Sequence, residues 1–151
     1  MAHLRKSLWT IAALAALPAP AAAQEMCAAL QRIAAAAGEP VPFASLEGSR
    51  GLVPGYGYCR VETGTAMRDG GVYCSATLAP KSLMAETVGA QVRDCLGAMP
   101  LPREQFSGGD DYQTDSLRIS VSSHCDERCH VGRIASIDLR RRRGDQARQP
   151  R

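Results

Sequence analysis

Apolar and polar residues alternate one by one in two segments of the best-patterned stretch of the chain, which runs from Gly57 to Gly97. This alternation predicts one strand over Tyr58–Thr63 and a second over Val72–Leu78, joined by a glycine-containing hairpin. Cys59 and Cys74 fall on the apolar side of their strands. The hairpin is therefore expected to direct two cysteines towards one buried layer.

Helical spacing of the apolar residues replaces alternation after the hairpin. Ser82 is the expected N-cap of this helix, Cys95 lies on its apolar face, and Gly97 suits the left-handed position that ends it. An earlier helix is predicted over Glu25–Ala37, with an apolar stripe and with Cys27 beside the stripe. The hairpin and the later helix thus direct three cysteines, Cys59, Cys74 and Cys95, towards one apolar layer between sheet and helix.

The last third of the chain adds two more alternating segments, which predict strands over Leu117–Ser122 and Arg133–Leu139. The polar stretch from Met99 to Ser116 is predicted to be a solvated loop, because its acidic residues lack the spacing of a calcium loop. The order α-β-β-α-β-β predicts one α+β domain over residues 24–139. In it, two helices pack on a small antiparallel sheet held by disulfides.

Residues 1–23 have the features of a secretory signal. Arg5 and Lys6 precede an apolar run of about ten residues, which is too short to span a bilayer, and three alanines follow. No other apolar run approaches membrane length, so no transmembrane segment is expected in the mature chain. The absence of Asn and the abundance of Ala and Arg suggest a GC-rich bacterial genome. A periplasmic or secreted protein is therefore predicted.

The six cysteines are expected to form disulfides, because an exported protein leaves the reducing cytosol. Cys125 and Cys129 lie in one short turn and are predicted to pair with each other. Three pairings then remain for the other four, which are Cys27, Cys59, Cys74 and Cys95. A cross-strand bridge with a helix-to-helix bridge is feasible. The preferred arrangement ties each strand to a helix, since both strand cysteines face the helical layer.

The same turn supports an alternative function. In the run His124-Cys125-Asp-Glu-Arg-Cys129-His130, two thiolates and two imidazoles offer the ligands that zinc or reduced copper prefers. This alternative gives the protein a zinc or copper cofactor, whereas the preferred interpretation gives it none. A redox dithiol is a lesser alternative, because the spacing is not that of a Cys-x-x-Cys motif.

Two further features suggest binding. Tyr56, Tyr58 and Tyr73 are expected to share one exposed sheet face, and tyrosines are well suited to protein contacts. Residues 140–151 are predicted to be a disordered tail, with six arginines and one acidic residue. Its first four arginines are candidate contacts for an anionic envelope component. They are Arg140, Arg141, Arg142 and Arg143.

Catalytic motifs are lacking: the chain has no Gly-x-Ser-x-Gly elbow, no His-Glu-x-x-His and no phosphate-binding Gly-Lys-Ser/Thr loop. No catalytic residue is assigned, and a hydrolase or thiol oxidoreductase is only a lesser alternative. The sequence favours an exported, disulfide-stabilised binding or structural domain. Its expected partner is an unknown protein or an anionic envelope component, and export argues against nucleic acid.

Overall fold

Two helices lie on one face of a six-stranded sheet in the computed structural model, which describes residues 21–65, 68–102, 109–125 and 133–142. The helices are α1 (Ala21–Ala37) and α2 (Ala85–Leu96). The strands are β1 (Tyr58–Glu62), β2 (Gly71–Ala76), β3 (Met99–Pro100), β4 (Gly109–Gln113), β5 (Leu117–Cys125) and β6 (Arg133–Arg141). The predicted α+β class and the four predicted strands and two predicted helices are confirmed.

The strands are ordered β1-β2-β6-β5-β4-β3, and every neighbouring pair is antiparallel. Strand β6 therefore lies between β2 and β5 and joins the two hairpins into one sheet. This arrangement leaves β1 as one edge strand and the two-residue β3 as the other.

The core lies between the helices and one face of this sheet. Alternation places one side of each central strand against the helices, so that Val72, Ile119 and Ile137 are fully buried. Leu30 and Ile33 of α1 are buried opposite them. The other face of the sheet receives no covering layer from the described residues.

Part of the loop predicted between Met99 and Ser116 is sheet, so that prediction was wrong for β3 and β4. Tyr112 is the one buried residue of β4, and a single apolar position does not produce a recognisable alternation. In this strand the Asp111 carboxylate accepts hydrogen bonds from Arg118 and Ser120 of β5. The Asp111 carboxylate is thus engaged in hydrogen bonds between strands. The described residues contain no cluster of three metal-ligating side chains.

The ends of the helices agree with the sequence only where the signal is local. Gly97 ends α2 with φ 62° and donates its N–H to the carbonyl of Arg93, as predicted. Ser82 is not the N-cap, because it lies in a separate 3-10 turn. The helix begins at Ala85, whose N–H donates to the hydroxyl of Ser123 in β5, at 3.0 Å. The cap is therefore supplied by a residue that is distant in sequence.

Candidate binding surface

Two disulfides fix the frame of the domain. Cys27 and Cys95 join α1 to α2, with their Cα atoms 5.1 Å apart. Cys59 and Cys74 join β1 to β2, at a Cα separation of 4.1 Å. The preferred strand-to-helix pairing was wrong, and the cross-strand alternative is the one formed. Both strand cysteines do face the helical layer, but the β1–β2 register sets them directly opposite each other.

The uncovered side of the sheet forms one continuous surface, which we call the open face. It collects the side chains that alternate away from the core on five of the strands. Its members are Tyr58, Arg60, Glu62, Tyr73, Ser75, Asp111, Gln113, Arg118, Ser120, Ser122, His124, Ile134, Ser136, Asp138 and Arg140.

Small hydroxyl side chains occupy the middle of the open face. Ser75, Ser136 and Ser122 lie side by side on β2, β6 and β5. The hydroxyls of Ser122 and Ser136 are 2.7 Å apart and hydrogen-bonded. Short side chains make this part of the sheet a shallow floor, on which a second molecule could approach the backbone closely.

Three large apolar side chains border Ser75 on this floor, and we call them the apolar patch. Tyr58 is 56% exposed, Tyr73 is 40% exposed and Ile134 is 42% exposed. Tyr58 lies opposite Ser75, Tyr73 is two positions along the same strand, and Ile134 is the diagonal neighbour on β6. The prediction that Tyr58 and Tyr73 share an exposed face is therefore correct. The alternation of β6 assigns Ile134 to that face too, although it was not singled out as a candidate.

Tyr56 was also predicted to lie on this face, and that prediction was wrong. Its side chain is 4% exposed and belongs to the core. Its phenolic oxygen has no hydrogen-bond partner among the described residues. Burial raises the pKa of Tyr56 to about 12.

Ion pairs begin beside Tyr73, whose cross-strand partners are Arg60 and Asp138, and extend to the end of the open face away from Ile134. Arg140 pairs with Glu62 at 3.6 Å and with Asp138 at 3.0 Å, and Arg60 pairs with Glu62. A second pair joins Arg118 to Asp111. Each basic group here has an acidic neighbour, so this end of the face carries no net excess of either charge.

The observed end of β6 also corrects the start of the predicted tail. Arg140 and Arg141 are the last residues of β6, so the strand extends past the predicted boundary at position 140. Arg142 donates its backbone N–H to the carbonyl of Ser116, at 2.7 Å. Arg143 and the rest of the tail lie outside the described residues. Of the three described candidate arginines, Arg140 lies on the open face, Arg141 is the last residue of β6 and Arg142 follows it.

A cleft of about 600 Å³ lies beside this charged end, at the hairpin between β1 and β2. Its lining includes Arg60, Arg68 and Arg140, together with Glu62 and Asp69. Since both signs of charge line it, the cleft favours neither an anion nor a cation, and we assign it no ligand.

The cysteine-histidine turn connects β5 to β6. Cys125 ends β5 opposite Arg133, and His124 is exposed on the open face opposite Ile134. Cys129 and His130 lie outside the described residues. The predicted Cys125–Cys129 disulfide and the alternative metal site therefore stay predictions.

The chain has no match among known protein families, curated proteins or solved structures. Among the described residues, neither helix has the length and apolar character needed to cross a membrane. The two disulfides are typical of proteins outside the reducing cytosol.

Proposed function

We propose that this chain is an exported binding domain of a bacterial envelope, periplasmic or secreted, and that its open face contacts a partner protein. One observation carries the proposal. The sheet is buried on one side by two helices, while its other side exposes three large apolar side chains that each border Ser75. Export is supported by the signal-like residues 1–23 and by the disulfides.

Tyr58 and Tyr73 are diagonal cross-strand neighbours, and long side chains in such positions can touch. Exposed apolar side chains that adjoin one another suggest a contact surface, whereas scattered ones do not. Tyrosine is enriched at the energetic centres of interfaces, where it buries a large area at low entropic cost. Ser75 and Ser136 between the larger side chains offer hydroxyls for hydrogen bonds to a partner. The apolar patch therefore combines an apolar contact area with a polar border.

The Cys59–Cys74 disulfide holds this patch in shape. Tyr58 precedes one of these cysteines and Tyr73 precedes the other, so the covalent bond under the sheet fixes the strands that carry both rings. A surface that is rigid before binding loses less entropy when it binds. The disulfide thus serves the binding surface as well as stability.

Leu78 adds a second observation at the same end of the sheet. It is 75% exposed and has a φ of 54°, in the left-handed region that costs a leucine about 1–2 kcal/mol. The following N–H, from Ala79, donates to the carbonyl of Arg133, which places Leu78 near Ile134. An exposed and strained leucine beside the apolar patch supports a role for this end of the face in contacts.

The test is affinity capture from an envelope extract, with the purified oxidised domain as bait. The variant Tyr58→Ser/Tyr73→Ser/Ile134→Ser removes the apolar patch, and we expect it to lower the recovery of bound partner at least ~10-fold. Val41→Ser is the matched control, because Val41 is 51% exposed in the loop after α1 and lies outside the open face. A partner recovered equally by the triple variant, or no partner recovered by the wild type, would contradict the proposal.

A further inference from the structure

Strand β1 is an edge strand, and half of its backbone groups have no partner among the described residues. The 4.1 Å Cα separation of Cys59 and Cys74 is that of a pair that does not exchange hydrogen bonds across an antiparallel ladder. The N–H and C=O groups of Arg60 and its alternate neighbours therefore point to β2. Those of Cys59 and Val61 point outwards, and no described residue hydrogen-bonds to them. Such an edge is a template for another strand.

The sequence of this edge indicates which strand fits it. Arg60 and Glu62 flank Val61 symmetrically and project on the open face. When two copies of β1 run antiparallel with Val61 opposite Val61, each Arg60 lies opposite the other copy's Glu62. Opposite charges in facing positions stabilise a strand pair, and like charges destabilise it.

We propose that β1 pairs with β1 of a second copy of this chain, about a two-fold axis at Val61. The inference goes beyond the proposed function, because it assigns a partner to the sheet edge and not to the face. The outward N–H and C=O groups of Cys59 and Val61 enter the new ladder. The contact is isologous, so that each copy contributes the same surface.

Neighbouring registers are disfavoured by the same charges. A shift that places Cys59 opposite Val61 also places Arg60 opposite Arg60. A shift that places Val61 opposite Thr63 places Glu62 opposite Glu62. Only the register centred on Val61 forms two Arg60–Glu62 pairs between the copies.

The existing ion pairs do not oppose this association. The Arg60–Glu62 pair within one chain is exposed on both partners, with side chains 62% and 40% exposed, and such pairs contribute little. A two-fold axis perpendicular to the sheet keeps both helical layers on one side. The two open faces then form one continuous surface. Because the shared edge is only five residues long, we expect a Kd between about 10 µM and 1 mM.

Charge reversal tests the register directly. Arg60→Glu gives one copy two carboxylates at the edge, and Glu62→Arg gives one copy two guanidinium groups. We expect each single variant to self-associate at least ~10-fold more weakly than the wild type, measured by sedimentation velocity across a concentration series. An equimolar mixture of the two variants should associate again, and so should the double variant Arg60→Glu/Glu62→Arg.

Three controls separate the possible outcomes. Arg93→Glu makes the same charge change on the exposed side of α2 and should leave association unchanged. The variant Tyr73→Ser/Ile134→Ser, which alters the apolar patch but leaves β1 unchanged, should still associate, so that failure of the proposed function and failure of this inference are distinguishable. Circular dichroism and a free-thiol assay verify that every variant is folded and oxidised. A wild type that stays monomeric up to about 1 mM, or a mixture that fails to recover association, would overturn the inference.

Discussion

At the scale of single residues, Tyr56 is the clearest mismatch between a side chain and its surroundings. Its ring is buried in the core, yet its hydroxyl has no hydrogen-bond partner among the described residues. A buried polar group without a partner loses its hydrogen bonds to water and regains nothing. We expect Tyr56→Phe to raise the free energy of unfolding by about 1 kcal/mol at pH 7, measured by urea denaturation.

The raised pKa of Tyr56 also predicts that the stability of the fold decreases at alkaline pH. Because burial raises the pKa of Tyr56 from 10.0 to about 12, the unfolded chain releases its phenolic proton before the folded chain does. Stability that is present below pH 10 should therefore fall as the pH rises towards 12. The Tyr56→Phe variant should lack this part of the fall. Tyr58→Phe is the control, since Tyr58 is exposed, and an equal effect of the two variants would contradict the assignment.

Tyr56 also shows what strand alternation cannot reveal. Tyr56 and Tyr58 are two positions apart, which in a strand would place them on one face. However, Gly55 has a φ of 81° and the N–H of Tyr56 donates to the carbonyl of Val53, so the chain turns before β1 begins. Tyr58 and Tyr73 lie inside the strands and were placed correctly. Alternation predicts the side of a residue only once the strand has started.

At the scale of elements, local signals were sufficient and distant ones were not. Gly97 could be predicted as a helix end, because a left-handed glycine is a property of the residue itself. The start of α2 could not, because its first N–H is bonded by Ser123, 38 positions further along the chain. Strand β4 was missed for a related reason. Its polar residues are stabilised by β5, and its own sequence carries one buried position.

The two disulfides should contribute unequally to stability. They close loops with sequence separations of 68 for Cys27–Cys95 and 15 for Cys59–Cys74. Restricting the unfolded chain over the longer loop should stabilise the fold by about 4 kcal/mol, and the shorter loop by about 3 kcal/mol. The prediction is that Cys27–Cys95 contributes more, although Cys59–Cys74 is the bond that supports the apolar patch.

The measurement isolates each bond by reduction. In a background carrying Cys125→Ser and Cys129→Ser, Cys59→Ala/Cys74→Ala leaves only Cys27–Cys95, and Cys27→Ala/Cys95→Ala leaves only Cys59–Cys74. The difference in unfolding free energy between the oxidised and reduced forms of each variant gives that bond alone, since any cavity left by alanine cancels. Equal differences, or a larger one for the shorter loop, would contradict the loop-entropy argument.

At the scale of the whole molecule, the sequence predicts the class of the fold but not its strand order. Alternation and helical spacing are sufficient for two helices on an antiparallel sheet. They do not show that β6 lies between β2 and β5, because the β2–β6 contact joins strands that α2, β3, β4 and β5 separate along the chain. This order matters for the site. It brings Ile134 of β6 diagonal to Ser75, which Tyr58 and Tyr73 also border, and it leaves β1 at the edge.

Amide hydrogen exchange can test this order and the edge together. Strand β6 has a neighbour on both sides and buries Ala135, Ile137 and Leu139 completely, so its amides should exchange most slowly. The exposed, two-residue β3 should exchange fastest of the strands. Within β1, the ladder predicts an alternation, in which the Arg60 amide is protected and those of Cys59 and Val61 exchange more than ~10-fold faster.

The effect of protein concentration on the exchange rates of the β1 amides then tests whether two copies pair through this edge. In dilute protein Cys59 and Val61 should exchange as free edge amides. In concentrated protein they should become protected if a second copy of β1 covers them, while the Arg60 amide should change little. The Arg60→Glu variant should keep both edge amides fast at every concentration. If exchange along β1 showed no alternation in dilute protein, the assignment of the outward-pointing groups would be wrong, and the pairing of two copies through this edge would lose its structural basis.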